Sequence, residues 1–330
     1  MSLSLSENNF NLQKIADLLD GKINGDEKQE VKSLLPLDLA GKEDISFFYN
    51  KKFIDKLKTT KAKAVILEKE FEDLFHSNSI VVKDAHIAYA KLTQIFKDQI
   101  KKVGVNPSAV VESKNIDPSS YIGPNVIIEE GAVVGKNVKI LGGVFVGSET
   151  KIEDDTLIYP NVSLYSKTKI GKKCIIHSNS VLGSDGLGFA NKDDKWEKIE
   201  HLGIVNIKDE VEIGAGCTID KSSTGETLIN SGVKLDNQVH IAHNCVIGEN
   251  SIIGAKTAIA GTTIVGKRCK IGGGCGIIDN IEICDDVTVT PMSFVTKSIS
   301  SKGMYSGGSM LMEHKNWLKY SAKLNREIKK

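Results

Sequence analysis

Seven histidines are spread along the 330 residues, and two of them fall in one polar cluster, Asp236-Asn237-Gln238-Val239-His240-Ile241-Ala242-His243-Asn244. His76, His86 and His314 lie in the end segments, and His177 and His201 read as isolated. Histidine's ordinary pKa lies nearest neutrality, which suits it to take a proton during a reaction. In the repeat described below Ile241 points inward, so His243 falls near a corner with access to solvent. Eighteen residues on stands Gly261. Glycine lets a backbone N–H approach a ligand with no Cβ in the way. Such an N–H, facing a reacting carbonyl, stabilises the developing oxyanion. A base beside a bare N–H suits acyl transfer; an inert surface histidine is the alternative.

A repeat must hold these residues in place. An aliphatic residue recurs every six positions from Ile116 through Ile122 and Ile128 to Leu182. It returns at Ile207, Ile213 and Ile219, then runs unbroken from Ile229 to Val295. The position four later holds small or β-branched residues such as Val126, Thr156, Ser180, Val239 and Thr257, suited to a crowded interior. Cys174, Cys217, Cys245, Cys269 and Cys275 occupy this slot, so they read as packing residues. No Cys-x-x-Cys pair supports a zinc or redox reading. Six residues per strand and turn, three such units per coil, describe a triangular parallel β-helix of about nine coils. Residues 18 apart then stack. Two interruptions break the frame: Gly183 through Trp196 to Gly203, and four extra residues around Ser222–Thr227. Loops on a rigid scaffold are where binding residues concentrate.

The flanks differ. Residues 1–103 read as a small α/β domain, 104–298 as the β-helix and 299–330 as a helical extension. Asn11 is placed to cap a helix carrying Leu12, Ile15, Leu18 and Leu19. Ala62–Leu67 and Ser79–Val82 read as strands, and Tyr89 to Lys102 as a helix. At the far end Met312–Lys330 reads as a helix with Trp317, Leu324 and Ile328 on one face. Lys315, Lys319, Lys323, Arg326 and Lys330 form a second stripe, either a solvated face or a dock for an acidic partner. Against 43 basic side chains stand 42 acidic ones, which argues against general nucleic-acid binding. Met1 to Asn11 lacks a secretory pattern, and no stretch approaches the roughly 20 apolar residues of a membrane span. A soluble, cytoplasmic protein is expected.

The hexads resemble those of the left-handed β-helix acyltransferases. Three segments are more discriminating: Ile45-Ser46-Phe47-Phe48-Tyr49-Asn50-Lys51-Lys52-Phe53, Gly183-Ser184-Asp185-Gly186-Leu187-Gly188-Phe189, and Asp236-Asn237-Gln238 leading to Ile241-Ala242-His243-Asn244. They resemble the UDP-3-O-(3-hydroxyacyl)glucosamine N-acyltransferases of lipid A biosynthesis, and the resemblance spans nearly the whole chain. It implies transfer of an (R)-3-hydroxyacyl chain from acyl carrier protein to the 2-amine of a UDP-glucosamine already acylated at O3. His243 would be the general base and Gly261 the oxyanion donor. Asp236 and Asn244 would orient or bind, with His240 beside them. Phe47 would stack on uracil next to Asn50, and Phe53 stands where relatives commonly have tyrosine. The resemblance also implies a homotrimer with sites between subunits, and a basic C-terminal helix that docks the carrier. No cofactor is implied beyond the 4′-phosphopantetheine on that carrier, and no metal.

Departures are few. Asn280 stands where some relatives have a second histidine, and His240 where many have glutamine. Met292 and Phe294 are candidates for closing a lipid groove. Rival readings are a CoA-dependent sugar acetyltransferase, the related O-acyltransferase, a β-helical zinc enzyme, and a non-enzymatic rod. The aromatic N-terminal motif and the tail oppose the first two. The spacing of His240 and His243 opposes zinc, and mixed outward residues oppose an ice-binding rod.

Overall fold

Most six-residue units build the same backbone: a two-residue strand whose second member is the aliphatic one, then a tight turn. In His240–Ile241, Ile252–Ile253 and Ala258–Ile259 the second residue is buried and the first is not. Most turns place a residue in the left-handed region, which asparagine and aspartate tolerate best among side chains with a Cβ. Asn125, Asn137, Asp155, Asn161, Asn179, Asn244 and Asn250 supply it, with φ between 54° and 63°. The structure, a computed structural model, describes residues 10–97, 100–308 and 311–328.

The strands stack into three parallel sheets of 9, 11 and 10 members. Registers such as His240↔Ala258 and Ile241↔Ile259 follow the 18-residue rule. The first strands, Gly104–Val105 and Val110–Val111, precede the frame that starts at Ile116. The step from Val111 to Ile116 is one residue short, which hides this coil from a strict six-residue search. The chain divides into two compact units, Met1–Lys101 and Lys102–Lys330.

The interior slot explains its own composition. Thr156, Ser251, Thr257 and Thr263 are fully buried. Their hydroxyls donate to Gly171, Gly266, Gly272 and Ile278 carbonyls at 2.7–2.9 Å. Cys245 Sγ makes the equivalent contact with Ala260 O at 3.1 Å. A small donor at this position satisfies a carbonyl that the coil's corner would otherwise leave buried and unpaired. Burial pushes the Cys174 and Cys245 thiols up to about 11, suppressing the reactive thiolate. Native protein is therefore expected to yield at most Cys284, the half-buried one, to a bulky disulfide reagent. The other five should react only after denaturant, and counting released chromophore before and after unfolding checks this.

Both frame breaks become structured excursions. Stacked Ser180 and Cys217 are 37 residues apart, and stacked Thr218 and His240 are 22 apart. The first excursion carries an antiparallel hairpin, Phe189–Lys192 with Lys195–Lys198. Asp193 and Asp194, both at positive φ, make its two-residue turn.

In the N-terminal unit a five-stranded sheet includes Asp44–Phe47, Ala64–Glu68 and Asn78–Val82. Asn11 caps the helix Leu12–Leu19, its side chain accepting the Gln13 N–H. Ala16 joins Leu12, Ile15 and Leu19 in the core while Leu18 is exposed, because three- and four-residue spacing excludes it. The helix after the strand Asn78–Val82 spans Ala85–Phe96, earlier than the expected Tyr89 to Lys102, because Asp84 accepts the His86 and Ile87 N–H groups as its cap. In the second unit the C-terminal helix is His314–Ile328, with Lys315, Lys319, Lys323 and Arg326 exposed. The side chains of Leu324 and Ile328, and all of Lys330, lie outside the described residues. Among the described residues no helix is long and apolar enough to cross a membrane.

Candidate active site

His243 follows the strand His240–Ile241 at a corner of the prism, and both excursions reach it. Its Nδ1 lies 3.0 Å from Asn244 Oδ1. That oxygen also accepts the Ser223 N–H and hydroxyl at 3.1 and 3.0 Å, while Asn244 Nδ2 donates to Thr224 O. These bonds fix the amide's orientation, so Nδ1 of His243 carries the hydrogen and Nε2 is left with its lone pair. Ser223 and Thr224 belong to the four-residue insertion, which thus orients the ring through Asn244.

Gly261 stacks directly on the imidazole. A Cβ there would stand 2.8 Å from His243 Cε1 and 2.9 Å from Nε2. Thr262 N–H donates to the His243 carbonyl at 2.9 Å, tying the two coils together. Among the described residues the Gly261 N–H has no acceptor. Nε2 of His243 and the backbone of Gly261 therefore stand side by side, the stacking that the 18-residue rule predicts.

The larger excursion adds groups that the sequence reading leaves out. His201, read as isolated, is buried with its ring 5.3 Å from that of His243, edge to face. Asp220 is buried nearby; its Oδ1 accepts the Ser184 hydroxyl at 3.0 Å, and Oδ2 lies 3.7 Å from His240 Nε2. His240 Nδ1 is paired with Thr218 Oγ1 at 2.7 Å. Gly186 closes over all of them: a Cβ would meet His243 Cδ2 at 2.8 Å, His201 Nε2 at 3.2 Å and Asp220 Oδ2 at 3.3 Å. The repeat gives no sign of His201, because it returns on a segment outside the frame. Asp220 was findable once the register is corrected for the four extra residues. Among the described residues no group is arranged to hold a metal ion.

Burial pushes the Asp220 carboxyl up, with the Ser184 hydrogen bond and the three imidazoles opposing. A carboxyl raised in the folded state binds its proton more tightly there than in the unfolded chain. Stability is therefore lost as pH rises from the ordinary carboxylate range through the raised value. Asp220→Asn is expected to raise the thermal midpoint by a few degrees at about pH 7 and hardly at all at about pH 3.5. Calorimetry at the two pH values checks the sign.

Comparison with known proteins agrees with this architecture. A family model described as UDP-3-O-(3-hydroxymyristoyl) glucosamine N-acyltransferase matches residues 28–95. The bacterial transferase hexapeptide model matches 149–184 and 226–261, the second stretch containing both His243 and Gly261. A UDP-3-O-acylglucosamine N-acyltransferase from Pseudomonas entomophila is 48% identical over 317 residues, covering 96% of this chain and 90% of that one. The chain belongs to this acyltransferase family. A Coxiella burnetii member is 39% identical over 94% of the chain and 92% of its own length. Among solved structures, a UDP-N-acetylglucosamine acyltransferase from Campylobacter jejuni aligns with a TM-score of 0.47 and 21% identity, covering 62% of this chain and 72% of that one. The hexapeptide matches and the three stacked parallel sheets make the prism the parallel β-helix of the hexapeptide transferases.

Other residues that the family resemblance singles out lie elsewhere. Asp236 sits at the preceding corner, exposed, its carboxylate accepting the Asn237 N–H. It lines an open cavity of about 750 Å³ with His177, Lys234 and Lys270. A full strand separates that corner from His243, so Asp236 does not orient the base within one chain. Asn280 N–H donates to the Gly261 carbonyl at 3.1 Å, and its side chain donates to Asp279. Met292 and Phe294 are exposed near the last coil.

In the N-terminal unit, Phe47 stacks on Tyr89 with ring centroids 3.7 Å apart, and Tyr49 stacks on His86 at 4.8 Å. The family motif holds Phe47 and Tyr49, but not their helical partners Tyr89 and His86. Phe47, Tyr49 and Phe53 line a cavity of about 160 Å³ with Leu37 and Lys56. Phe53 is exposed, with Lys56 Nζ 5.6 Å above its ring. Asn50 acts as a cap, its side-chain oxygen accepting the Lys52 N–H at 3.0 Å.

Proposed function

We propose that the chain moves an (R)-3-hydroxyacyl group from the 4′-phosphopantetheine of acyl carrier protein to the 2-amine of UDP-3-O-(3-hydroxyacyl)glucosamine, in lipid A biosynthesis. What supports this is the stacking of Gly261, whose N–H has no acceptor among the described residues, against the His243 ring, whose Nε2 is left free by the Nδ1–Asn244 bond. The amine nitrogen attacks the thioester carbonyl, and Nε2 takes its proton. The Gly261 N–H holds the oxygen of the tetrahedral intermediate. Collapse releases the pantetheine thiolate, which recovers the proton from the imidazolium, leaving an amide and a thiol. Asn244 keeps the ring in the required tautomer throughout. No further cofactor and no metal take part.

Relatives named for the same acceptor support the substrate class. Phe47, Tyr49 and Phe53 offer aromatic surface suited to a uracil ring. The exposed basic stripe of the last helix suits an acidic carrier protein in the cytoplasm. A homotrimer would cover the open face holding Asp236. The test is transfer by full-length protein from 3-hydroxyacyl-carrier protein, over a panel of chain lengths, with UDP-3-O-acylglucosamine as acceptor. An amide product identified by mass supports the reading. Turnover of acetyl-CoA with no use of the acyl carrier would overturn it.

A further inference from the structure

The proposed reaction uses no side chain of the segment Gly183-Ser184-Asp185-Gly186-Leu187-Gly188-Phe189, yet its middle lies where the two excursions meet. The first excursion leaves the strand Val181–Ser184 and rejoins at Ile204–Ile207. The second interrupts the frame between Thr218–Asp220 and Glu226–Ile229. Backbone hydrogen bonds join their bases. Lys221 N–H donates to Ser184 O and Leu202 N–H to Ser223 O, both at 2.9 Å, and Gly203 N–H donates to Ser222 O at 3.0 Å.

One carboxylate spans the same junction. Asp185 Oδ2 lies 2.6 Å from Nζ of Lys198, on the returning strand of the hairpin. Its Oδ1 lies 2.9 Å from Nζ of Lys221, where the second excursion begins. The hydrogen bonds from Lys198 and then Lys221 hold the Asp185 carboxyl down at about 2, so it is charged at any pH near neutrality. Lys198 is shared with Glu200 at 2.7 Å, whereas Lys221 has no other carboxylate within pairing distance among the described residues. A lone surface ion pair contributes little, but a network can hold segments together. Here the side chains of Asp185 and Lys221 are only 28% and 25% exposed.

Both excursions reach the His243 ring immediately beside this junction. The backbone of Gly186, next to Asp185, lies against it: a Cβ there would stand 2.8 Å from His243 Cδ2. Ser223, two residues beyond Lys221, donates its N–H and hydroxyl to Asn244 Oδ1, the atom that holds His243 Nδ1. The first excursion therefore bounds the Cδ2 side of the ring and the second fixes its Nδ1 side. Neither belongs to the stacked repeat, so their separation is set by what joins them, and such segments open without unfolding the whole.

We propose that Asp185 is a positioning residue for His243: by holding Lys198 and Lys221 together it keeps Gly186 and Asn244 closed on the imidazole. The effect on rate rests on the acyl-transfer reading; the clamp rests on the geometry alone. In Asp185→Asn the carboxamide keeps the shape and loses the charge, so the excursions part slightly and the ring gains freedom. A displacement of about 1 Å costs roughly 10²-fold in rate, so about half of that costs roughly tenfold.

Amide hydrogen exchange and single-turnover transfer on full-length Asp185→Asn test this together. The amides of Lys221, Leu202, Gly203 and Ser223 should exchange about tenfold faster than in the wild type, while that of Thr262 in the prism keeps its rate. Transfer at saturating substrates should slow about tenfold with KM for the acceptor unchanged. In a His243→Ala background the substitution should cost nothing more, because its effect passes through that ring. An equal loss in that background would overturn the proposal, as would unchanged exchange at the junction. A raised KM with the saturated rate kept would also overturn it, and would assign the lysines to the acceptor's phosphates. Should Asp185→Asn fail to fold, Lys221→Met breaks the clamp from its other side and should give the same pattern. Faster junction exchange in a protein that never acylates UDP-3-O-acylglucosamine would leave the clamp standing and sink the reaction. Transfer that does not respond to Asp185→Asn would do the reverse.

Discussion

His243→Ala is expected to lower single-turnover transfer by about 10²–10⁴-fold while acceptor binding is retained. The expectation follows from how the ring is held. Asn244 fixes the Nδ1 hydrogen, leaving Nε2 as the basic atom. Removing the ring takes away the proton acceptor and leaves the Gly261 N–H and the bound substrates in place. Positioning of two large substrates supplies rate independently of the base, so the loss should be partial. The backbone around residue 243 is secured by Thr262 N–H to the His243 carbonyl, so the variant should keep its thermal midpoint. Transfer at a near-normal rate would leave the family assignment intact and remove His243 as the base. A collapse of the midpoint would assign the loss to folding instead. Measuring transfer, binding and unfolding on the same preparation separates these outcomes.

The parts of this site that the sequence exposes are those built by the repeat. An aliphatic residue every sixth position is demanded by an interior that admits nothing else, so the register from Ile116 to Val295 can be read directly. The stacking of Gly261 on His243 then follows by counting, since no insertion falls between them. His201 and Asp220 escape the same count for different physical reasons. Between Ser184 and Ile204 the chain leaves the prism, so His201 is placed by hairpin and neck contacts and not by a period, whereas Asp220 lies on the in-frame strand Thr218–Asp220 and is offset only by the four extra residues that follow it. Asp236 fails in the opposite sense. It is close to His243 in sequence, but a two-residue strand and a corner turn carry it to another edge of the triangle. In the N-terminal unit, Asn11 announces its helix through a local cap. Asp84 does so equally, yet the apolar residues after Tyr89 draw attention to a later start. The interior cysteines are legible as packing from their slot, whereas their hydrogen bonds to carbonyls one coil away need the coordinates.

Gly261→Ala should separate the geometry of catalysis from the stability of the fold. Gly261 has no need of glycine for its backbone conformation, unlike Gly216 or Gly232, whose φ values of 67° and 75° favour it. The obstacle to a Cβ is the His243 ring itself, at 2.8 Å from Cε1 and 2.9 Å from Nε2. A side chain can swing away from such a clash, whereas a backbone cannot, so the prism should absorb the methyl group with little change in unfolding midpoint. The ring cannot move without lifting Nε2 from the amine. A displacement of about 1 Å at a reacting atom costs roughly 10²-fold in rate. The methyl group also narrows the approach of the thioester oxygen to the Gly261 N–H, and loss of an oxyanion donor is worth about 10²–10³-fold in kcat. Because both effects fall on the transition state, kcat should drop with KM for the acceptor nearly unchanged. Combining the substitution with His243→Ala removes the clash but not the obstruction at the amide. If the double variant is no slower than His243→Ala alone, the glycine serves only to seat the ring. A further loss in the double variant would mean that its N–H holds the oxyanion in its own right.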